Sequence, residues 1–241
     1  MTHWHRHKHS ESAAEQAPER DSAQIEILRV FTADDGQGGI PVGLIRRRDV
    51  AETDPRALAV RCGVDCLGLY DDPADGAVTV ELFGADGPLP RSSAGCLALG
   101  WWLAAQHTPV TTVRAGDDAF TVAQSSHVGW VHADPEAGAE AVLHQIADAD
   151  RIATVTSSEL PEHTNCVWAY SAAESSATVR IKRMTRPDSE LIAAASTALT
   201  TRLGHGITVV EVTEIHVVTR LDEQGRILLG GRVREDHVVV L

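Results

Sequence analysis

The chain has 241 residues with a hydrophobic content of 43%, enough for one large core or two smaller ones. Its formal net charge of −13 opposes binding to phosphate backbones, which argues against nucleic acid as a partner. No apolar run approaches the roughly 20 residues that a membrane span needs. The start MTHWHRHKHS lacks the apolar stretch of a secretory signal. We therefore expect a soluble, cytoplasmic protein without a membrane partner.

The cysteines show no pattern that predicts a disulfide or a zinc site. They stand at Cys62, Cys66, Cys96 and Cys166, and no CxxC pair occurs. A chain of this size needs no covalent staple, and cytoplasmic thiols stay reduced. We predict four reduced thiols and no structural zinc.

The first 23 residues are polar and lack any period that could bury one face, which predicts a disordered tail. Within it, His3, His5, His7 and His9 alternate with other residues, so an extended segment would present four imidazoles on one side. Imidazole clusters bind nickel, copper or zinc. The tail is either a metal-binding arm or a polar segment that binds metal only incidentally, and we favour the second interpretation.

Residues 24–125 predict a first unit of strands and helices. The predicted strands cover 25–31, 41–45, 66–70, 78–83, 110–115 and 120–124, and the predicted helices cover 54–62 and 96–106. The first helix has Thr53 or Asp54 as its cap and Pro55 in its first turn. The second has almost no polar face, which predicts burial on nearly all sides.

Residues 126–241 repeat this order. The predicted helices cover 135–146 and 188–203, and the predicted strands cover 166–170, 178–182, 207–212, 215–220, 226–229 and 238–241. The recurrence indicates a duplicated lobe. We predict an α+β fold of two similar lobes, each a curled, mostly antiparallel sheet around a central buried helix, with the default ligand site in the cleft between them.

Three short segments carry a resemblance to a known family. They are Val30-Phe31-Thr32 followed by Gly39-Ile40-Pro41-Val42, then Gly95-Cys96-Leu97-Ala98-Leu99-Gly100, and finally Leu228-Leu229-Gly230-Gly231-Arg232-Val233. In this order they resemble the PhzF-like (phenazine biosynthesis) isomerases of the diaminopimelate epimerase-like superfamily. The resemblance spans residues 25–241.

The resemblance implies a cofactor-independent isomerase or epimerase, a homodimer, that moves a proton on a small carboxylate metabolite in the inter-lobe cleft. Cys66 takes the position of the family's catalytic glutamate and Cys96 that of its histidine, while Asp188 is retained. These three are the implied catalytic residues. The implied substrate-binding residues are Ser93, Gly95 and Ser189, which stand at the starts of the two central helices, and no metal is implied.

The same residues also fit structural roles. Buried cysteine is a common space-filling residue, and Asp188, Ser92 and Ser93 are good helix caps. Because most catalytic groups expected from the family are replaced, a second hypothesis is a catalytically inactive scaffold kept for ligand binding or protein association. A third is a metal-handling protein whose His-rich arm is the functional part.

Overall fold

The computed structural model describes residues 23–50, 54–133, 137–171, 178–184 and 189–241. The strands are β1 Gln24–Thr32, β2 Ile40–Arg46, β3 Cys66–Tyr70, β4 Ala77–Gly84, β5 Gly87–Leu89, β6 Thr112–Ala115, β7 Asp118–Ser125, β8 Val128–His132, β9 Leu143–Gln145, β10 Cys166–Ser171, β11 Thr178–Arg183, β12 Thr208–Glu211, β13 Ile215–Leu221 and β14 Ile227–Val240. The α-helices are α1 Pro55–Cys62, α2 Ser93–Ala105 and α3 Ser189–Leu203. Within these ranges, no helix has both the length and the apolar character of a membrane span.

The strands form two lobes that share β14. In the first lobe the order β1–β2–β3–β4–β6–β7–β8–β14 closes into a ring, because β14 also pairs with β1. In the second lobe the order β14–β13–β12–β11–β10–β9 packs against α3. Only the pairs β2–β3, β4–β6, β9–β10 and β11–β12 are parallel among the described strands. The predicted α+β fold with two mostly antiparallel lobes is confirmed.

The two lobes repeat one connection pattern. In the first, α1 links the parallel strands β2 and β3, and α2 links β4 and β6. In the second, α3 links the parallel strands β11 and β12, as α2 does in the first lobe. Where the first lobe has α1, the second has short 3₁₀ turns at Ala149–Arg151 and Ser157–Glu159. The two lobes are therefore similar in their connections, with this one difference.

The two central helices are buried for different reasons. Every residue of α2 from Ser93 to Leu103 is buried, as its apolar sequence predicts. The helix α3 instead buries the hydroxyls of Ser196, Thr197 and Thr200, and each donates to the carbonyl oxygen four residues earlier at 2.7 to 2.9 Å. Because these hydroxyls are satisfied within the helix, α3 can lie in an apolar core.

The helix predicted at residues 135–146 is wrong for the described part. The chain makes a 3₁₀ turn at Ala137–Glu140 and then enters β9. The Asn165 side chain accepts from the Val142 amide at 2.8 Å and donates to the Glu140 carbonyl at 2.8 Å. These contacts satisfy backbone groups that a helix would have used, and they leave β9 free to pair with β10.

The two strands predicted at 226–229 and 238–241 are one continuous strand, β14. It pairs with β13 and β8 through its first half and with β1 through its second. Between the two predicted runs lie Gly230, Gly231 and a largely charged stretch, residue types with low strand propensity. Here a side chain at either position would collide with Trp130 or Phe31, so the glycines permit close packing at the junction of the lobes.

Candidate functional site

The amino end of α2 is a capped helix start at the junction of the lobes. Ser92 has an extended backbone, and its Oγ accepts a hydrogen bond from the Gly95 amide at 3.1 Å. This is the standard geometry of a serine N-cap. The residue is fully buried. The capping role considered for Ser92 is therefore confirmed.

A carboxylate from the other lobe occupies this helix start. Glu190, in the first turn of α3, accepts from the Ser92 hydroxyl through Oε1 at 2.8 Å. Its Oε2 accepts from the Ser93 backbone amide at 3.0 Å. Helix starts favour anions because their free amides and the helix dipole point at the ligand. The two oxygens of Glu190 thus fill a carboxylate-binding position on α2.

Cys66 lies beside this cluster on β3. Its side chain is buried and in hydrogen-bond contact with Ser92. A Cβ atom at Gly95 would lie 2.9 Å from Cys66 Sγ and 3.0 Å from Leu82 Cδ2, so a glycine is needed for the helix to approach β3 this closely. Burial raises the pKa of Cys66 to about 12; the contact with Ser92 opposes this rise, and the Glu190 and Asp65 carboxylates add to it.

Cys96 is the second thiol near the helix start, one residue beyond Gly95 on α2. It is completely buried, and this burial raises its pKa well above the usual value for a thiol. The nearby Cys66, Glu190 and Asp118 push the pKa in the same direction. Since the thiolate is the reactive form, both cysteines are neutral and unreactive near pH 7.

The structure brings together four of the six site residues implied by the resemblance, namely Cys66, Cys96, Ser93 and Gly95. Ser93 and Gly95 act through their backbone amides. Ser189 is the first residue of α3, and Asp188 lies outside the described residues. The catalytic and substrate-binding roles of all six residues therefore stay predictions.

Sequence reasoning missed Glu190. The available signal was an acidic residue in the first turn of a predicted helix, which is explained equally well by that helix's own dipole. Nothing local indicated that this side chain reaches the helix of the other lobe.

No metal centre emerges from the part of the chain that the structure describes, where no group of three or more His, Cys, Asp or Glu side chains could hold an ion. The four cysteines are free thiols. The histidines at His3, His5, His7 and His9 lie outside the described residues, so the interpretation of the tail stays a prediction.

No protein-family model matches the chain. Among solved structures, a PhzF family phenazine biosynthesis protein from Enterococcus faecalis superposes with a TM-score of 0.67 at 13% identity, over 90% of this chain and 98% of that one. A putative phenazine biosynthesis PhzC/PhzF protein from Clostridium difficile gives a TM-score of 0.68 at 8% identity, over 91% and 99%. The chain has a PhzF-like fold.

A more distant likeness links this PhzF-like fold to amino-acid epimerases. A hydroxyproline epimerase from Agrobacterium vitis superposes with a TM-score of 0.55 at 9% identity, over 92% of this chain and 93% of that one. At these identities the comparisons show the fold alone. They confirm the fold inferred from the three segments beginning at Val30, Gly95 and Leu228.

Proposed function

We propose that this chain is a non-catalytic relative of the PhzF-like isomerases that serves as a binding scaffold. Its inter-lobe centre, defined as the start of α2 at Ser92 and Ser93, is closed by the chain's own Glu190 carboxylate. The observation that carries the proposal is the pair of hydrogen bonds from Ser92 and Ser93 to Glu190. They take up the donors that an external carboxylate would need at the start of α2.

The ligand chemistry of one structural neighbour supports this view. The hydroxyproline epimerase was solved with trans-4-hydroxy-L-proline bound, a molecule that carries a carboxylate. A carboxylate ligand of this class is well suited to a helix start. In this chain, an external carboxylate would have to displace Glu190 from Ser92 and Ser93. Because Glu190 belongs to the same chain, it competes for these donors at a high effective concentration.

The protonation state of the thiols also supports a non-catalytic function. A general base needs a pKa near the working pH and must reach the proton that it removes. Cys66, at a pKa of about 12, is protonated at neutral pH, and burial also keeps Cys96 protonated. Neither thiol is prepared for proton abstraction.

The rival function is a working isomerase on a small carboxylate metabolite. It would need Glu190 to leave the start of α2, and either Glu190 or a thiol to exchange a proton with the substrate. The homodimer implied by the resemblance and the cytoplasmic location expected from the sequence remain predictions under either function.

Deuterium exchange separates the two functions. The protein is incubated in heavy water with L-proline, trans-4-hydroxy-L-proline and a panel of small amino and hydroxy acids, and the Cα–H signals are followed by proton NMR. We expect no exchange above the buffer rate. Exchange by the wild-type protein that disappears in Cys66→Ala or Glu190→Gln would overturn the proposal and establish an isomerase.

A further inference from the structure

One edge of β14 is unpaired along the last part of the strand. Residues 228–232 pair with β8 on this edge, and the Val233 amide donates to the His127 carbonyl at 2.8 Å. Because Arg232 pairs with β8 and with β1, these two strands lie on opposite edges of β14. From residue 234 to residue 240, β1 is the only partner of β14 among the described strands, so the edge that β8 leaves is free.

The backbone groups of Val238 and Val240 point to this free edge. In an antiparallel strand, the N–H and C=O of one residue point to the same side, and the side alternates from residue to residue. The Leu241 amide donates to the Ala23 carbonyl at 2.9 Å, so position 241 points towards β1. By alternation Val239 also points towards β1. Val238 and Val240 therefore each present an N–H donor and a C=O acceptor that no described strand uses.

The side chains beside these backbone groups are aliphatic and exposed. Val238 is 48% exposed and Val240 is 61% exposed. Since they are two residues apart on one strand, they lie on the same face of the sheet. Edge strands are commonly protected from pairing by charges, prolines or bulges. The charge of Glu235 and the bulge at Asp236 precede this segment, and residues 238–240 carry none of these devices.

We propose that the free edge of β14 pairs with the same edge of a second copy of this chain, antiparallel about a two-fold axis at Val239. This register places Val238 opposite Val240 of the second copy. Because both residues point to the shared edge, each such pair exchanges two hydrogen bonds, and the valine side chains pack across the strands.

The segment is self-complementary, because three consecutive valines at residues 238–240 read the same in both directions. This property favours a second copy over an unrelated extended segment. The contact is isologous, so the two free edges satisfy each other and the assembly ends at the dimer. The pairing does not depend on the proposed function of the inter-lobe centre.

The test measures the association of the full chain by sedimentation velocity over a wide range of protein concentrations. We expect an equilibrium between monomer and dimer. Val240→Pro removes an N–H that faces the free edge and leaves the bonds to β1 in place, since proline is tolerated where an edge N–H points away from the ladder. The substitution removes one hydrogen bond for each copy. We therefore expect the dissociation constant of the dimer to rise roughly tenfold or more.

A charged variant tests the side-chain contact. Val238→Lys places an ammonium group among the packed valines and should also raise the dissociation constant of the dimer. The matched control is Val60→Lys, at a position of α1 that is 62% exposed, which should leave this constant unchanged. Thermal unfolding verifies that each variant is folded.

Hydrogen–deuterium exchange provides a readout that needs no variant. The amides of Val238 and Val240 should exchange more slowly as the concentration of the wild-type protein rises, because the second copy then occupies the free edge. A monomer at all concentrations, equal dissociation constants for wild type and Val240→Pro, an equal loss of dimer in Val60→Lys, or exchange at these two amides that is independent of concentration would each overturn the proposal.

Discussion

Ser92 and Glu190 connect the two lobes through a hydrogen bond of 2.8 Å between Ser92 Oγ and Glu190 Oε1. Ser92 begins the central helix of the first lobe, and Glu190 lies in the first turn of the central helix of the second. The Ser92 hydroxyl therefore both caps α2, by accepting from the Gly95 amide, and joins the two central helices, by donating to Glu190.

Replacing Glu190 with alanine should destabilise the fold and create a site for an external carboxylate. The variant loses two charge-assisted hydrogen bonds, and we expect the free energy of unfolding to fall by about 2 kcal/mol. Added acetate should restore part of this loss, because a small carboxylate can bind the vacated donors of Ser92 and Ser93.

The control for this experiment is Glu162→Ala, which removes an exposed carboxylate from a loop of the second lobe. Its thermal unfolding should match that of the wild type with and without acetate. A Glu190→Ala protein as stable as the wild type, or one that acetate does not affect, would contradict the assigned role of Glu190.

Thiol labelling should distinguish one cysteine from the other three. Cys62 is half-buried, whereas Cys66, Cys96 and Cys166 are buried. Burial raises the pKa of Cys166 to about 12, as it does for Cys66. At pH 8 we expect Ellman's reagent to modify one thiol in the native protein and four in denaturant. Mass spectrometry would identify the site, and rapid native labelling of Cys66 would contradict the neutral, enclosed thiol described above.

The buried thiols should also make stability fall at alkaline pH. A thiol of the unfolded chain ionises near pH 9, while Cys66 stays protonated in the folded protein until about pH 12. The unfolded state therefore binds fewer protons in this window, and the free energy of unfolding decreases as pH rises. The decrease is up to about 1.4 kcal/mol per pH unit for each such thiol. Urea unfolding between pH 8 and pH 10.5 should show a shallower decline in the free energy of unfolding for Cys66→Ala than for the wild type. An equal decline in both proteins would refute the raised pKa of Cys66.

Adding a methyl group at Gly95 should strain the contact between α2 and β3. The new Cβ would meet Cys66 Sγ at 2.9 Å, and we expect Gly95→Ala to cost about 1 to 3 kcal/mol in chemical unfolding. Combining it with Cys66→Ala should recover part of this cost, because the colliding sulfur is gone. Gly84→Ala is a suitable control, since its Cβ would make only ordinary contacts at 3.5 Å. Strict additivity of the two substitutions would show that the strain lies elsewhere.

Local sequence patterns predicted the elements that local interactions determine. The apolar run of α2 predicted a buried central helix, and Asp54 with Pro55 predicted the start of α1, where the Asp54 side chain accepts from the Arg56 amide at 3.0 Å. The glutamate at position 190 was not predicted as a site residue, because its partners lie 97 and 98 residues away in the chain. The same limit applies to β14, whose continuity depends on strands from both lobes.

Under the proposed function, Glu190 excludes external carboxylates from the inter-lobe centre. The most direct test is a calorimetric titration of trans-4-hydroxy-L-proline into the wild type and into Glu190→Ala, with Glu162→Ala as the control. We expect binding only to Glu190→Ala, whose donors on Ser92 and Ser93 are vacant. Binding to the wild type that is unchanged or lost in Glu190→Ala would contradict it, because the centre would then accept substrate with Glu190 in place.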